Sequence, residues 1–128
     1  MKVLNTDKAP VPVGPFSQGL ASGDFVFVSG QIPLNTATGK IPEAIDDQAD
    51  QCISNIEAVL AEYGMTLRNV IKTMVFLTDI NDFDKVNARY AERFGEPYPA
   101  RSCYQVVALP KGCEIEIEAI AVRNSEPR

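Results

Sequence analysis

The feature that most constrains the fold is the segment Ile115 to Val122, IEIEAIAV, in which residue character changes with a period of two. This period is that of a β-strand, whose successive side chains point to opposite faces of a sheet. One face of the strand then carries Glu114, Glu116, Glu118, Ile120 and Val122. Carboxylates in a row repel one another unless water or a cation relieves the repulsion. A solvated sheet face is one interpretation of this row, and a ligand site is the other.

A second apolar strand begins at Pro99, and Arg101 lies near its start. With the same period, Arg101 shares a face with Cys103, Gln105 and Val107. The segment from Leu109 to Gly112 predicts a turn with a glycine free to take positive φ, so we expect the two strands to form a hairpin. An arginine paired with a row of glutamates, in a chain without histidine, indicates a small acid as the ligand.

Composition excludes several classes of protein. The chain has 128 residues, of which 45% are hydrophobic, so we expect one domain that spans residues 1–128. Net charge is −5 and the basic residues are scattered, so nucleic acid is not an expected partner. The first residues show no signal or transit peptide, and no apolar run approaches the roughly 18 residues of a membrane span. We therefore expect a soluble, cytoplasmic protein that does not bind membranes.

The cysteines favour neither a disulfide framework nor a metal site. Cys52, Cys103 and Cys113 are an odd number without C-x-x-C spacing, and the chain has no histidine to complete a metal set. The spacing of Cys52 places it on the apolar stripe of a helix. Cys103 shares a face with Arg101, whose guanidinium could lower the thiol pKa. Without a histidine base, a catalytic role for Cys103 is a minor alternative.

Hydrophobic periodicity predicts strands that alternate with two helices. The first helix, Asp46 to Tyr63, should be capped by Asp46 or Asp47 and end at Gly64, and the second should run from Asn81 or Asp82 to about Gly95. The predicted strands before the final pair are Phe16–Ala21, Phe25–Ser29 and an inner strand, Asn69–Thr78, covered on both faces.

One polar residue interrupts the apolar stripe of the second helix. Phe83, Val86 and Tyr90 define that stripe, and Asn87 lies among them. A buried amide needs hydrogen-bond partners. Asn87 could therefore make a tertiary hydrogen bond, or it could order a loop or ligand at the end of the helix.

These elements predict an α+β fold, with one mixed sheet and both helices on one face. The other face of the sheet would then be uncovered. Since this face combines apolar residues with the glutamate row, we expect the chain to oligomerise around its sheets.

Several motifs in the chain resemble those of the Rid/YjgF family of 2-imino-acid deaminases. They follow the family's order from near the N-terminus to near the C-terminus, and this makes the resemblance more specific than any single motif. They are VGPFSQ at 13–18, SGQIP at 29–33, IKTMVFLTDINDF at 71–83, VN at 86–87, PARS at 99–102 and IEIEAIAV at 115–122.

The resemblance implies a chorismate-mutase-like fold that forms a homotrimer, with the sheets packed as a barrel and clefts between subunits. It also implies hydrolysis of enamines and imines, of the 2-aminoacrylate and 2-iminobutyrate type, to 2-oxo acids and ammonia without a cofactor. In the family's pattern Arg101 would clamp the substrate carboxylate, and Glu116 would act on the attacking water. The residues that would line the pocket are Ser29, Gly30, Asn87 and Cys103.

The chain departs from the family at Phe16, where the family usually has tyrosine in GPYSQ. The role of the tyrosine hydroxyl must therefore be absent or filled by another group, which affects the expected rate of hydrolysis and the range of substrates. It favours one alternative, a non-catalytic trimer that binds small acids as a sensor or scaffold. Ribonuclease activity, sometimes attached to the family, is disfavoured by the acidic charge and the lack of histidine. A pericyclic mutase would need several convergent arginines, and the pattern offers one.

Overall fold

A single mixed sheet and two helices make up the architecture of the computed structural model, which describes residues 1–124 and 126–128. The α+β prediction is thereby confirmed. The strands are β1 (Lys2–Leu4), β2 (Gly19–Ser22), β3 (Phe25–Gln31), β4 (Val70–Leu77), β5 (Ala100–Gln105) and β6 (Ile115–Val122). The helices are α1 (Ile45–Ala61) and α2 (Phe83–Phe94), and short 3-10 turns span Leu67–Asn69, Ile80–Asp82 and Pro110–Gly112.

The order of strands across the sheet is β1-β2-β3-β6-β4-β5. All neighbours are antiparallel except β4 and β5, which are parallel and are joined through α2. The predicted β5–β6 hairpin is wrong, because β4 lies between these two strands. The connection must cross β4 and is too long for a tight turn. Within it, Lys111 and Gly112 both take positive φ, of 58° and 68°.

Both helices pack on the same face of the sheet, as predicted. Alternate residues of β6 are buried in one core with α1, and the intervening residues, including Glu116 and Glu118, point to the other face. Helix α2 joins this core through Val86, Tyr90 and Phe94. The Tyr90 hydroxyl also lies 2.7 Å from Thr73 Oγ1, which ties α2 to β4.

The predicted N-cap of α1 is wrong, whereas Asp82 is the N-cap residue of α2, as predicted, although its side chain makes no cap hydrogen bond. Ala44 occupies the N-cap of α1 and makes no side-chain cap. Asp46 and Asp47 instead lie in the first turn, where they pair with Arg89 of α2 at 3.4 and 3.7 Å. For α2, the carboxylate of Asp79 accepts a hydrogen bond from the Asn81 amide and caps the preceding 3-10 turn. Helix α2 ends before Gly95, as predicted, with φ of 70° at the glycine.

The helix-free face of the sheet is uncovered in one chain. Phe25, Phe27 and Ile71 on strands β3 and β4 are 43%, 49% and 40% exposed. The prediction that β4 is covered on both faces therefore fails for a single chain, because burial along this strand alternates. Neither described helix has the length and apolar character required to cross a membrane.

Candidate functional site

Arg101 points to the helix side of the sheet and rests on α2. It is in register with Thr73, a fully buried residue of β4, and aligned residues of parallel strands share a face. Its Nη1 donates a hydrogen bond to Asn87 Oδ1 at 2.7 Å. The guanidinium carbon also lies 4.9 Å from the ring centre of Tyr90 and 5.2 Å from that of Phe83. A neutral amide and two aromatic rings thus hold the cation in one orientation.

This environment leaves the charge of Arg101 without a carboxylate partner among the described residues. By contrast, Arg89 and Arg93 pair with acidic residues of α1. Arg101 and Asn87 line a cavity of about 430 Å³ together with Tyr98 and Pro99. The free N–H groups of a guanidinium form a planar fork that matches a carboxylate. The tertiary hydrogen bond anticipated for Asn87 therefore exists, and its partner is the predicted clamp.

Cys103 follows Arg101 on the same face and does not have an activated thiol. It is aligned with the buried Val75 and packs against the core. Burial raises the thiol pKa, and the opposing effect of Arg101 is smaller. The guanidinium acts to lower this pKa, as expected, but desolvation of the thiolate outweighs the neighbouring charge and the net shift is upward.

Glu116 points to the opposite, helix-free face of the sheet. It lies between the buried Ile115 and Ile117 and is aligned with Phe76 of β4. Burial raises the pKa of its carboxyl group, and repulsion from Glu118 raises it further. A carboxylate with a raised pKa binds a proton more readily near neutral pH, as a general base in hydrolysis must.

Gly30 allows the Glu116 carboxylate to lie against the backbone of β3. The glycine falls at an irregularity in the β3–β6 pairing, between Val28 and Gln31. A Cβ at Gly30 would be 2.8 Å from Glu116 Oε1 and 2.9 Å from its carboxyl carbon. Glycine is thus needed here for close approach, not for its backbone angles.

Phe16, Gly30 and Glu116 line one cavity of about 830 Å³. The Phe16 ring is 51% exposed and belongs to the irregular segment before β2. That strand was predicted to start at Phe16 but starts at Gly19. The carboxylate with the raised pKa therefore lies in a cavity that has an aromatic ring in its wall.

Ser29 lies next to this cavity and uses its hydroxyl within the fold. Its Oγ donates to the carbonyl oxygen of Ser17 at 2.6 Å. It lines a separate cavity of about 420 Å³, together with Lys72 and Glu118. This geometry fixes the chain where β3 meets the segment before β2, and a role for Ser29 in binding substrate stays a prediction.

The structure divides the predicted site residues into two groups on opposite sides of the sheet. Arg101, Cys103 and Asn87 lie on the helix side. Phe16, Ser29, Gly30 and Glu116 lie on the helix-free side or at its edge. One chain does not bring the arginine and the glutamate together, so a site that uses both needs a second copy.

Two buried amides that the sequence analysis missed fix the segments around Glu116. Gln18 Nε2 lies within hydrogen-bond distance of the carbonyl oxygens of Thr6, Ala9 and Pro10, at 3.0, 3.1 and 2.9 Å. Asn55 Nδ2 donates to those of Ile32 and Leu34, at 2.9 and 3.0 Å. The signal for Asn55 was present, because it interrupts the apolar stripe of α1 as Asn87 interrupts that of α2.

A third buried amide, Gln31, is incompletely satisfied. Its Nε2 donates to the Ser29 carbonyl oxygen at 3.2 Å. Its Oε1 is buried without a hydrogen-bond partner among the described residues. The same residues contain no cluster of three or more acidic or cysteine side chains placed to hold a metal ion.

Known proteins match this sequence over nearly the whole chain. Residues 6–123 match the family model described as Endoribonuclease L-PSP. The Escherichia coli K12 protein named "Putative reactive intermediate deaminase TdcF" is 45% identical over 127 residues, which cover 97% of this chain and 98% of that protein. The RutC family protein PH0854 of Pyrococcus horikoshii is 49% identical, with 96% and 98% covered.

Solved structures show the same fold. A crystal structure of E. coli TdcF with bound serine superposes with a TM-score of 0.93 at 45% identity, covering 97% of this chain and all of that one. The yjgF gene product of E. coli gives a TM-score of 0.93 at 43% identity, with 97% and 100% covered. With the motifs, the sheet order and these relatives in agreement, the chain belongs to the Rid/YjgF family.

Proposed function

We propose that this protein hydrolyses reactive enamines and imines, of the 2-aminoacrylate and 2-iminobutyrate type, to 2-oxo acids and ammonia. One observation carries the proposal. The guanidinium of Arg101 is oriented by the neutral amide of Asn87 and has no carboxylate partner among the described residues. Such a group suits the carboxylate of a small acid, because its planar fork can donate two parallel hydrogen bonds.

Glu116 supplies the second half of the chemistry. In the proposed reaction the carboxylate takes a proton from a water molecule, whose oxygen bonds to the imine carbon while the C=N π electrons pass to nitrogen. Glu116 returns that proton to the nitrogen, and the proton of the new hydroxyl group then passes through the carboxylate to the same nitrogen, so that the C–N bond breaks and ammonia leaves as the C=O bond forms. An enamine first takes a proton at its β-carbon and loses one from its nitrogen, which gives the imine. Positioning and one base are sufficient, because the imine carbon is already electrophilic.

A homotrimer is part of this proposal. Arg101 and Glu116 point to opposite faces of one sheet, so each site must combine the arginine of one subunit with the glutamate of another. The exposed Phe25 and Phe27 on the helix-free face support packing of the sheets against one another. The number three comes from the family resemblance. Asn87 and Cys103 would then enter the cleft with Arg101, opposite Phe16, Ser29 and Gly30.

The relatives support the class of ligand. TdcF has been crystallised with serine, a small amino acid whose carboxylate resembles that of the proposed substrates. The family description names an endoribonuclease, but a net charge of −5 disfavours binding to a phosphate backbone.

A coupled assay tests the proposal. An amino-acid dehydratase generates the imine from serine or threonine, and the appearance of 2-oxo acid and ammonia is followed with and without this protein. We expect a faster release that depends on Arg101 and Glu116, from a particle with three times the 14.0-kDa chain mass in light scattering. A rate equal to spontaneous hydrolysis would refute the enzyme, and a monomer would refute a site built between subunits.

The second candidate is a trimer that binds small acids without converting them. The observation in its favour is Phe16, which brings no hydroxyl to the Glu116 cavity. Saturable binding of a 2-oxo acid, with no acceleration of ammonia release, would select this function.

A further inference from the structure

We infer that the cavity beside Glu116 receives the side chain of the substrate, and that it selects imines with branched or aromatic apolar side chains over those of three or four carbons. This inference rests on the proposed function and adds the substrate class. It concerns the walls of the cavity rather than its reacting groups.

The size and lining of the cavity support this class. In a single chain its volume is about 830 Å³, within the range of roughly 300–1,000 Å³ typical of sites for larger organic ligands, and in the proposed trimer the partner subunit's Arg101 would enter part of this space. Glu116 and Gly30 lie in the same cavity, so a reacting carbon beside Glu116 has apolar wall within reach of its side chain. The apolar part of the wall includes Val11, Val13, Phe16, Ile32, Leu34 and Pro110, and the polar Gln31 and Thr36 line the cavity as well. The charged Asp7 and Lys111 also line it, and both are exposed to solvent.

The walls are held open by hydrogen bonds from outside the cavity. Gln18 is 2% exposed and fastens the segment that carries Ala9 and Pro10. Asn55 is 1% exposed and fastens the segment from Ile32 to Leu34. Both segments lie outside regular secondary structure, so these side-chain hydrogen bonds help to fix their positions. A preformed cavity loses less conformational entropy when a ligand enters.

Three wall residues present apolar surface to solvent in a single chain. Val11, Val13 and Phe16 are 75%, 84% and 51% exposed. An apolar ligand side chain that covers them removes this surface from water, whereas a methyl group covers little of it. Each added methylene in such a pocket changes discrimination by about tenfold or more. The preference should therefore rise from ethyl to isobutyl to benzyl side chains.

Matched variants test this wall. Phe16→Tyr and Val11→Thr each add one hydroxyl without a large change of shape. Val3→Thr is the control, because Val3 is 52% exposed on β1 and does not line the cavity. Calorimetry measures the binding of pyruvate and of 4-methyl-2-oxopentanoate. Hydrolysis is measured with imines made from 2-aminobutyrate, leucine and phenylalanine by an amino-acid oxidase in the presence of catalase.

We expect the parent protein to bind 4-methyl-2-oxopentanoate at least about tenfold more tightly than pyruvate. Phe16→Tyr and Val11→Thr should reduce this ratio several-fold, and Val3→Thr should leave it unchanged. Equal affinity for both acids, or equal losses on both in the variants, would overturn the inference while leaving the hydrolase intact. Selective binding without turnover would refute the hydrolase and leave the ligand class standing. Failure to bind either acid, together with hydrolysis at the spontaneous rate, would overturn both.

Discussion

Gly30 and the carboxylate of Glu116 are in such close contact that a methyl group on the glycine would lie 2.8 Å from Oε1. The position of the proposed base therefore depends on the absence of a side chain on the neighbouring strand. This contact links the irregular pairing of β3 to the position of the proposed base on β6. It is the basis of the first of four mutational tests.

Gly30→Ala should displace the Glu116 carboxylate and reduce hydrolysis by about tenfold or more, with the fold retained. Overpacking costs about 1–3 kcal/mol in stability, and the cost should lie at the lower end here because the methyl group meets the end of a flexible side chain. In a Glu116→Ala background the added methyl group meets no carboxylate, so the stability cost should disappear. Urea unfolding of the two single variants and the double variant measures this coupling. Equal costs in both backgrounds would show that the methyl group clashes with something other than Glu116.

Arg101→Lys should reduce turnover by about tenfold to more than a hundredfold, since charged hydrogen bonds of this type contribute about 1.5–3 kcal/mol. A lysine keeps the charge but loses the planar fork and its stacking between Phe83 and Tyr90. Steady-state kinetics and thermal unfolding should show the loss of activity without loss of fold. Parent-level hydrolysis by the lysine variant would mean that Arg101 does not clamp the carboxylate.

Asn87→Asp should weaken substrate binding more than Asn87→Ala does, although aspartate is closer in shape to asparagine. The new carboxylate would pair with the guanidinium that Asn87 now contacts at 2.7 Å and would compete with the carboxylate of the ligand. Alanine would only release the guanidinium from its orientation. Titration with a 2-oxo acid at two salt concentrations measures the effect, and tighter binding by the aspartate variant would contradict it.

Glu116→Gln should slow hydrolysis by about a hundredfold and largely preserve binding of 2-oxo acids, because the amide keeps the shape but is no base. In the parent, activity should fall on the acid side at a pH above the ordinary pKa of glutamate, since burial and then Glu118 raise the pKa of Glu116. Glu118→Gln should move this acid-side fall in activity to lower pH. If the pH of the fall does not change, Glu118 does not raise the pKa of Glu116.

The same pKa shift makes a contribution to stability with a defined sign. Because the folded state binds the Glu116 proton more tightly than the unfolded state, this contribution is present at low pH and is lost as pH rises through the raised pKa.

Local patterns predicted the helices, the strand faces and the tertiary hydrogen bond of Asn87, because each depends on the spacing of neighbouring residues. They did not predict that β4 separates β5 from β6, since a turn signal at Leu109–Gly112 says nothing about a strand inserted from elsewhere in the chain. The net rise in the pKa of Cys103 was not predicted, because a sequence shows a neighbouring charge but not burial. Gln18 was missed because its partners are backbone carbonyl groups, which any residue supplies.

Because Arg101 and Glu116 point to opposite faces of one sheet, subunits of two inactive variants can together form an active site in the proposed trimer. A ring that mixes Arg101→Lys subunits with Glu116→Gln subunits contains one junction where an intact arginine meets an intact glutamate. Random reassembly of equal amounts should therefore recover about a quarter of the parent activity from two preparations that have almost none. Subunit mixing thus reports, through activity alone, on the geometry of a site that no single chain contains.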